Sequence, residues 1–398
     1  MLKKIGLLVC HNQYESKRYF TQKFAEALQR AGIETVILSW PHGPVPDSIL
    51  EQIKLLNPDL TCSFNQPGPL PDGRYFWDLT EIPHWTIIVD PVFYERDLIR
   101  SPYTILSTVD YQDFNFIHSM NFENVFFWPH AVEKELHEEK EKIFEVVFIG
   151  TCYDPEILLQ TWRQRYPKEI SEIIEDAVER VLSDHKTSFL QALLLALAFH
   201  GKSPKDVNFE QLAHYVDQYS RGLDRLQLIR SIQDVPVTVF GGKCWREEQP
   251  IQDWSHYLAS QSNVTLYPAV NYADSLEILK RSKICLNSVP FFKSGTHERI
   301  FAGLACGAFV VTNDTLYMRE SFSAEEGVLL YQFSKLGDLN EQMRYYVSHP
   351  QERVSAVQKG REKVMQYHTW DSRVKQMLEE IPIILQRIEK NSDQIEGK

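Results

Sequence analysis

Short apolar runs alternate with stretches of helical period along the first 130 residues. Positions 4–10, 34–40, 59–64 and 85–89 are strand-like, and the spacing of apolar positions predicts helices over 13–31 and from Asp47. Strand-like runs at 103–109 and 124–128 continue the scheme as far as Pro129 and His130. This alternation predicts a parallel sheet with crossover helices. A nearly all-charged stretch at 133–142 follows, and 133–143 is read as a linker.

A second series begins at 144–149, followed by Gly150 and Thr151, and resumes at 235–240, followed by Gly241, Gly242 and Lys243. Between them lies a helical insert at 155–232. The series continues with strands at 264–267, 284–287 and 309–312 and helices at 272–281 and 297–305. From Asp338 the pattern is helical almost to Lys390, and 391–398 is a polar tail. The domains are therefore 1–132, a second α/β domain at 144–367 carrying the insert, and a terminal segment at 368–398.

A chain of 398 residues with 43% hydrophobic and 24% charged positions has enough apolar material for two packed cores. The net charge of −12 opposes non-specific contact with phosphate backbones, so nucleic acid is not an expected partner. Six cysteines are scattered without a C-x-x-C pair, which fits reduced thiols and a cytoplasmic setting. The most apolar window, 189–199, is eleven residues long, about half of what a spanning helix needs, so no transmembrane segment is expected. Missing motifs narrow the class further. G-x-G-x-x-G, the P-loop, G-x-S-x-G, H-E-x-x-H and D-x-D are all absent, and neither a metal nor a bound cofactor is expected.

One segment carries candidate chemistry. It runs from Leu286 and Asn287 through a Pro- and Gly-containing loop to Lys293, Ser294, Gly295, Thr296, His297, Glu298 and Arg299, then to Gly307 and the strand at 309–312. A helix starting near Thr296 presents free backbone N–H groups and a positive dipole end, a natural diphosphate site, with Lys293 and Arg299 as added cations. The alternative is an ordinary solvated helix face with Gly307 as its C-cap.

The stretch His297-Glu-Arg-Ile-Phe301 with Gly307-Ala-Phe-Val-Val-Thr312 resembles the donor-binding core of the bacterial CgeB-like glycosyltransferases of the GT-B superfamily. The similarity extends to Val237-Thr-Val-Phe-Gly-Gly242, Val264-Thr-Leu-Tyr-Pro268 and His368-Thr-Trp370, and more weakly to Pro58-Asp59-Leu60 and Asp90-Pro91. The resemblance implies an α/β protein with two Rossmann-like domains facing a cleft. It also implies a nucleotide-sugar donor on the C-terminal domain, no required metal, and a last helix that crosses back to the N-terminal domain. One departure stands out. Where many retaining members carry two glutamates eight positions apart, this chain has Ser294 and Ala302, which leaves the stereochemical outcome open.

Loops after strands face the ligand in a doubly wound sheet. That rule selects His11, Asn12, Asn65, Gln66, Asp90 and His130 from the first half, with Asp90 the leading proton acceptor and His11 and His130 its rivals. From the second half it selects Gly150, Thr151, Gly241, Gly242 and Lys243 for phosphate, Tyr267 for the base, and Asn287 and the 293–299 loop for the donor, with His297 at the sugar or the phosphate. The insert reads as amphipathic helices packed on one another without a basic face. The expectation is a cytoplasmic, metal-independent glycosyltransferase taking a nucleotide diphosphate sugar to an acceptor the sequence does not identify. A catalytically inactive nucleotide-sugar binder or an assembly protein is the alternative.

Overall fold

The computed structural model describes residues 2–136, 140–242 and 252–396. They fall into two compact units. The first comprises Met1–Leu136, Asn271–Ala273 and Lys363–Lys398, and the second comprises His137–Val270 and Asp274–Glu362.

In the first unit β1 (Lys4–Cys10), β2 (Glu34–Trp40), β3 (Leu60–Phe64), β4 (His84–Ile88), β5 (Thr104–Thr108) and β6 (Val125–Phe127) form one sheet in the order β2-β1-β3-β4-β5-β6. All its pairings are parallel. Every residue of β3, β4 and β5 is buried, as expected of strands covered on both faces. The connections carry α1 (Ser16–Arg30), α2 (Asp47–Leu56), α3 (Phe76–Thr80) and α4 (Tyr111–Ser119). Helix α1 begins later than its apolar period suggests, because Tyr14 and Glu15 adopt left-handed backbone angles, φ 67° and 55°, that interrupt the first turn. A nine-residue 3₁₀ segment, Val92–Arg100, follows β4 and has no counterpart in the periodicity.

The second unit contains β7 (Phe144–Ile149), the insert helices α5 (Pro155–Arg165), α6 (Lys168–Ser183), α7 (Phe189–Phe199) and α8 (Phe209–Arg230), then β8 (Val237–Phe240), α9 (Trp254–Leu258) and β9 (Val264–Tyr267). After α10 (Tyr272–Lys280) come β10 (Ser282–Leu286), α11 (Glu298–Ala305), β11 (Phe309–Asn313), α12 (Leu316–Ser321), β12 (Val328–Tyr331), α13 (Leu339–Ser348) and α14 (Pro350–Tyr367). The sheet order is β12-β11-β10-β7-β8-β9, again parallel throughout. The insert helices pack on one another, α6 against both α7 and α8. Among the described residues no helix is long and apolar enough to cross a membrane.

The last helix, α15 (Trp370–Glu396), packs on α1 in the first unit. Its buried positions Trp370, Val374, Met377, Ile381, Ile384 and Ile388 recur every three or four residues, a single apolar stripe. Trp370 joins Phe24, Phe64 and Trp128 at ring-centroid distances of 6.0, 5.7 and 5.9 Å.

Candidate functional site

Strand order reverses once in each sheet, between β7 and β10 in the second unit and between β1 and β3 in the first, and ligands of open α/β sheets collect at the carboxyl ends of such strands.

At the β7–β10 switch point three arginines converge, two of them from the insert. Arg225 on α8 reaches the end of β7, where Nη1 donates to the Thr151 carbonyl at 2.8 Å and the guanidinium lies 4.7 Å from the Tyr153 ring centroid. Its Nε is buried without a hydrogen-bond partner. Burial pushes its pKa below the usual arginine value, and the charges of Arg221 and Arg299 push the same way. Arg221, one turn earlier, donates to Asp217 at 2.8 Å and stacks 3.6 Å from the Phe291 ring centroid. Arg299, on the first turn of α11, donates through Nη1 to Asn287 Oδ1 at 3.0 Å, and Asn287 donates in turn to Thr312 Oγ1 at 2.9 Å.

The approach to α11 adds a further orphan, the fully buried Thr296 Oγ1. His297 is the N-cap, its Nδ1 3.4 Å from the Arg299 amide and 3.0 Å from the Glu298 carboxylate. Burial lowers the imidazole pKa, against the raising effect of the neighbouring Glu298 carboxylate. Gly307 ends the helix at φ 78°, the left-handed C-cap. A buried guanidinium with an unpartnered Nε, beside a helix N-terminus and two further guanidinium groups, has the chemistry to take up an anion.

The sequence-selected residues divide at this point. Asn287, Thr296, His297, Glu298 and Arg299 come together with Gly150 and Thr151. Lys293 does not. Its side chain is buried and its Nζ donates to the carbonyls of Val181 (2.6 Å) and Asp184 (3.0 Å), capping the C-terminal end of α6. Ser294 is buried in the same loop, and the Gly295 carbonyl accepts from Thr315 Oγ1 at 2.8 Å, so this segment holds its neighbours in place. Gly241 is a glycine for packing. Its N–H donates to Tyr267 at 3.1 Å, and a Cβ there would lie 2.0 Å from the Gly150 carbonyl oxygen and 2.6 Å from Trp254 Nε1. Gly150 N–H is likewise occupied, by Phe240 at 2.9 Å, and the Gly242 carbonyl accepts from Cys152 at 2.9 Å. Gly241→Ala is expected to destabilise the protein by about 2–3 kcal/mol or more, read as a fall in Tm by calorimetry. Tyr267 is 47% exposed and stacks on Phe240 at 5.0 Å, an open aromatic face. Lys243 lies outside the described residues. The insert helices pack on one another, as read from their composition, and two of their arginines, Arg221 and Arg225, are buried, Arg225 reaching the carboxyl end of the central strand β7.

In the first unit a pocket of about 230 Å³ opens at the β1–β3 switch point, lined by residues that include Cys10, Lys17, Trp40, Asn65 and Gln66. Three non-glycine residues around it, Tyr14, Glu15 and Asn65, have positive φ, a concentration of strain typical of ligand-binding loops. Asn65 donates to Asp90 at 3.0 Å and accepts from the Val89 amide at 3.0 Å. Glu95, from the 3₁₀ segment, is hydrogen-bonded to Gln66, and burial raises its pKa to about 7 against the lowering effects of Gln66 and Lys17. Glu95 Oε2 and Gln66 Oε1 are both buried without a partner. Asp90 is exposed, and its main effect here is to hold the Glu95 proton more tightly. His11 is exposed and paired with Glu15. His130 is buried with its ring 5.7 Å from Phe20 and its carbonyl accepting from Arg373, placing it in the core.

Two parallel six-stranded sheets with flanking helices make this the fold of the GT-B glycosyltransferases. Sucrose-phosphate synthase from Thermosynechococcus elongatus aligns with a TM-score of 0.55 at 11% identity, over 99% of each chain. Anabaena Alr3699/HepE in complex with UDP-glucose aligns with a TM-score of 0.55 at 9% identity, over 98% of this chain and 99% of that one. AviGT4, a glycosyltransferase involved in avilamycin A biosynthesis, aligns with a TM-score of 0.55 at 10% identity, over 96% and 98%. Residues 224–379, which begin beside Arg225 and include the α11 loop, match the family model described as glycosyl transferase-like. An uncharacterized protein of Aquifex aeolicus (strain VF5) is 23% identical over 194 residues, 42% of this chain and 48% of that one, so the match spans about half the length of that curated relative.

Proposed function

We propose that this protein is a glycosyltransferase that transfers a sugar from a nucleotide diphosphate sugar to a hydroxyl acceptor. The observation that carries the reading is the pair of buried, unpartnered polar groups, Arg225 Nε and Thr296 Oγ1, beside Arg299 and the N-terminus of α11. The family-model match at 224–379 and the UDP-glucose named for the Anabaena structure support a nucleotide-sugar donor. The motifs around His297–Thr312 support the CgeB-like branch, and the scattered cysteines a cytoplasmic enzyme.

In this reading the donor diphosphate lies against Arg225, Arg299 and the α11 N-terminus. The bond between the anomeric carbon and the phosphate oxygen breaks, the acceptor oxygen bonds to that carbon, and the departing diphosphate keeps the electron pair, its charge met by the guanidinium groups and the helix end. The acceptor hydroxyl gives up its proton to water as that bond forms. Arginine charge takes the place of a divalent metal.

A thermal-shift titration with UDP, GDP and dTDP in EDTA tests this. At least one nucleotide is expected to raise Tm without added metal, and the matching nucleotide sugar to be turned over. Stabilisation seen only with magnesium or manganese would refute the metal-free phosphate site. Binding without turnover of any sugar would favour the inactive binder.

A further inference from the structure

The last helix of the insert, α8, buries four charged side chains, Asp217, Arg221, Asp224 and Arg225. Asp217 pairs with Arg221, and Arg225 belongs to the cluster at the end of β7. Asp224 makes contacts of a different kind. Its carboxylate is fully buried, and Oδ2 accepts from Ser288 Oγ at 2.6 Å, the Tyr331 hydroxyl at 2.6 Å and Asn313 Nδ2 at 3.2 Å, with Asn313 also 3.3 Å from Oδ1. Ser288 follows β10, while Asn313 and Tyr331 are the last residues of β11 and β12. One carboxylate therefore ties α8 to the carboxyl ends of three neighbouring strands.

Arg225 is the next residue along the helix, and it reaches Thr151 beyond β7, the strand beside β10. Successive side chains diverge by about 100° around a helix, so holding Asp224 sets the direction of Arg225. Gly222 fixes the same helix from another side. A Cβ there would lie 2.1 Å from the Tyr153 carbonyl oxygen, so the glycine allows α8 to meet that backbone closely. Burying a carboxylate costs more than burying an apolar side chain of similar size, and packing α8 on the sheet does not require one. What the carboxylate adds is direction, because donors fixed at three strand ends select one rotation and one height of the helix, whereas apolar contacts tolerate sliding. The loop after β10 shows the same logic in two adjacent residues. Asn287 accepts from Arg299, and Ser288 donates to Asp224, so the dipeptide holds one arginine of the cluster directly and the other through Asp224.

We propose that Asp224 is a positioning residue which, held by Ser288, Asn313 and Tyr331, fixes the direction of the Arg225 guanidinium and through it the affinity of the cluster for a diphosphate. The ligand rests on the phosphate-binding reading given above. The direction of Arg225 rests on the hydrogen bonds alone.

A double-mutant cycle on the full chain, read by calorimetric titration with UDP, tests the proposal. Asp224→Asn keeps the shape and removes the charge, and it should weaken UDP binding about tenfold in the parent but less than about twofold once Arg225 has been replaced by methionine. Tyr331→Phe, which takes away one donor, should follow the same pattern at about threefold. An equal loss in both backgrounds would mean that Asp224 supports the fold without acting through Arg225, and would overturn the proposal. Unchanged UDP affinity in folded Asp224→Asn and Tyr331→Phe proteins would overturn it as well. A second readout needs no ligand. The Arg225 Nε–Hε signal, identified in a proton–nitrogen correlation spectrum by its loss in Arg225→Met, should keep its position in Lys293→Ala and shift or broaden in Asp224→Asn and Tyr331→Phe. If the parent does not bind UDP, the phosphate reading falls and this signal decides the positioning by itself. An Arg225 signal unaltered in both variants would then overturn the proposal.

Discussion

Arg225→Ala is expected to weaken nucleotide diphosphate binding by about ten- to more than a hundredfold, the loss of a charge-assisted hydrogen bond worth roughly 1.5–3 kcal/mol. The structural cause is the position of the side chain, which is buried at the end of β7 with Nε unpartnered and two other guanidinium charges pushing against it. Before ligand binds, that arrangement is a liability, because a desolvated cation lacks a compensating anion. Arg225→Met should therefore keep or raise the ligand-free Tm while losing affinity, and Arg225→Lys should recover only part of it, since a point charge cannot reproduce a planar fork of donors. Arg299→Ala should also weaken binding, though its partner Asn287 keeps it engaged without ligand. Lys293→Ala supplies the contrast. It removes the cap on α6, so Tm should fall while nucleotide affinity stays within about twofold. Calorimetric titration with UDP, paired with Tm on the same samples, separates these outcomes. Undiminished affinity in a folded Arg225→Ala protein would remove the phosphate assignment.

For Glu95→Gln the expected result is a protein that is more stable than its parent above neutrality. Burial raises the folded-state pKa from 4.5 to about 7, so between those values the folded protein holds a proton that the unfolded chain has lost. Stability then falls as pH rises through that window, by about 3–3.5 kcal/mol in all. Glutamine mimics the neutral carboxyl. At pH 5 the variant and its parent should have similar Tm values, and at pH 8 the variant should melt higher. The groups that modulate this carboxyl are Gln66 and Lys17, which favour ionisation, and Asp90, which opposes it. Asp90→Asn should shift the Glu95 titration downward. Tm curves against pH provide the check. Parallel Tm curves for variant and parent would refute the raised pKa.

The two α/β units, their strands and the terminal helix were legible along the chain because each follows from local rules. Runs such as 5–9 and 146–149 are buried from both sides and are therefore continuously apolar, and Gly307 marks the end of α11 because only a left-handed residue closes that turn without strain. The placing of Thr296 and Arg299 at a helix start was legible for the same reason. The raised pKa of Glu95 was not legible, because the residue sits in a 3₁₀ segment with no usable period and its pKa is set by burial, modulated by Gln66 after β3 and Lys17 on α1. Arg221 and Arg225 were missed because they lie on a long helix where a charged residue normally faces water. Only the packing of α8 against the end of β7, 74 positions earlier in the chain from Arg225 to Thr151, turns them inward. Lys293 shows the converse, a cation beside the right loop whose side chain points to α6. Spacing along the chain determines which residues share an element and which end of it they occupy. The direction of a side chain, and the low dielectric that makes a buried charge demand a partner, arise only when distant elements close around it.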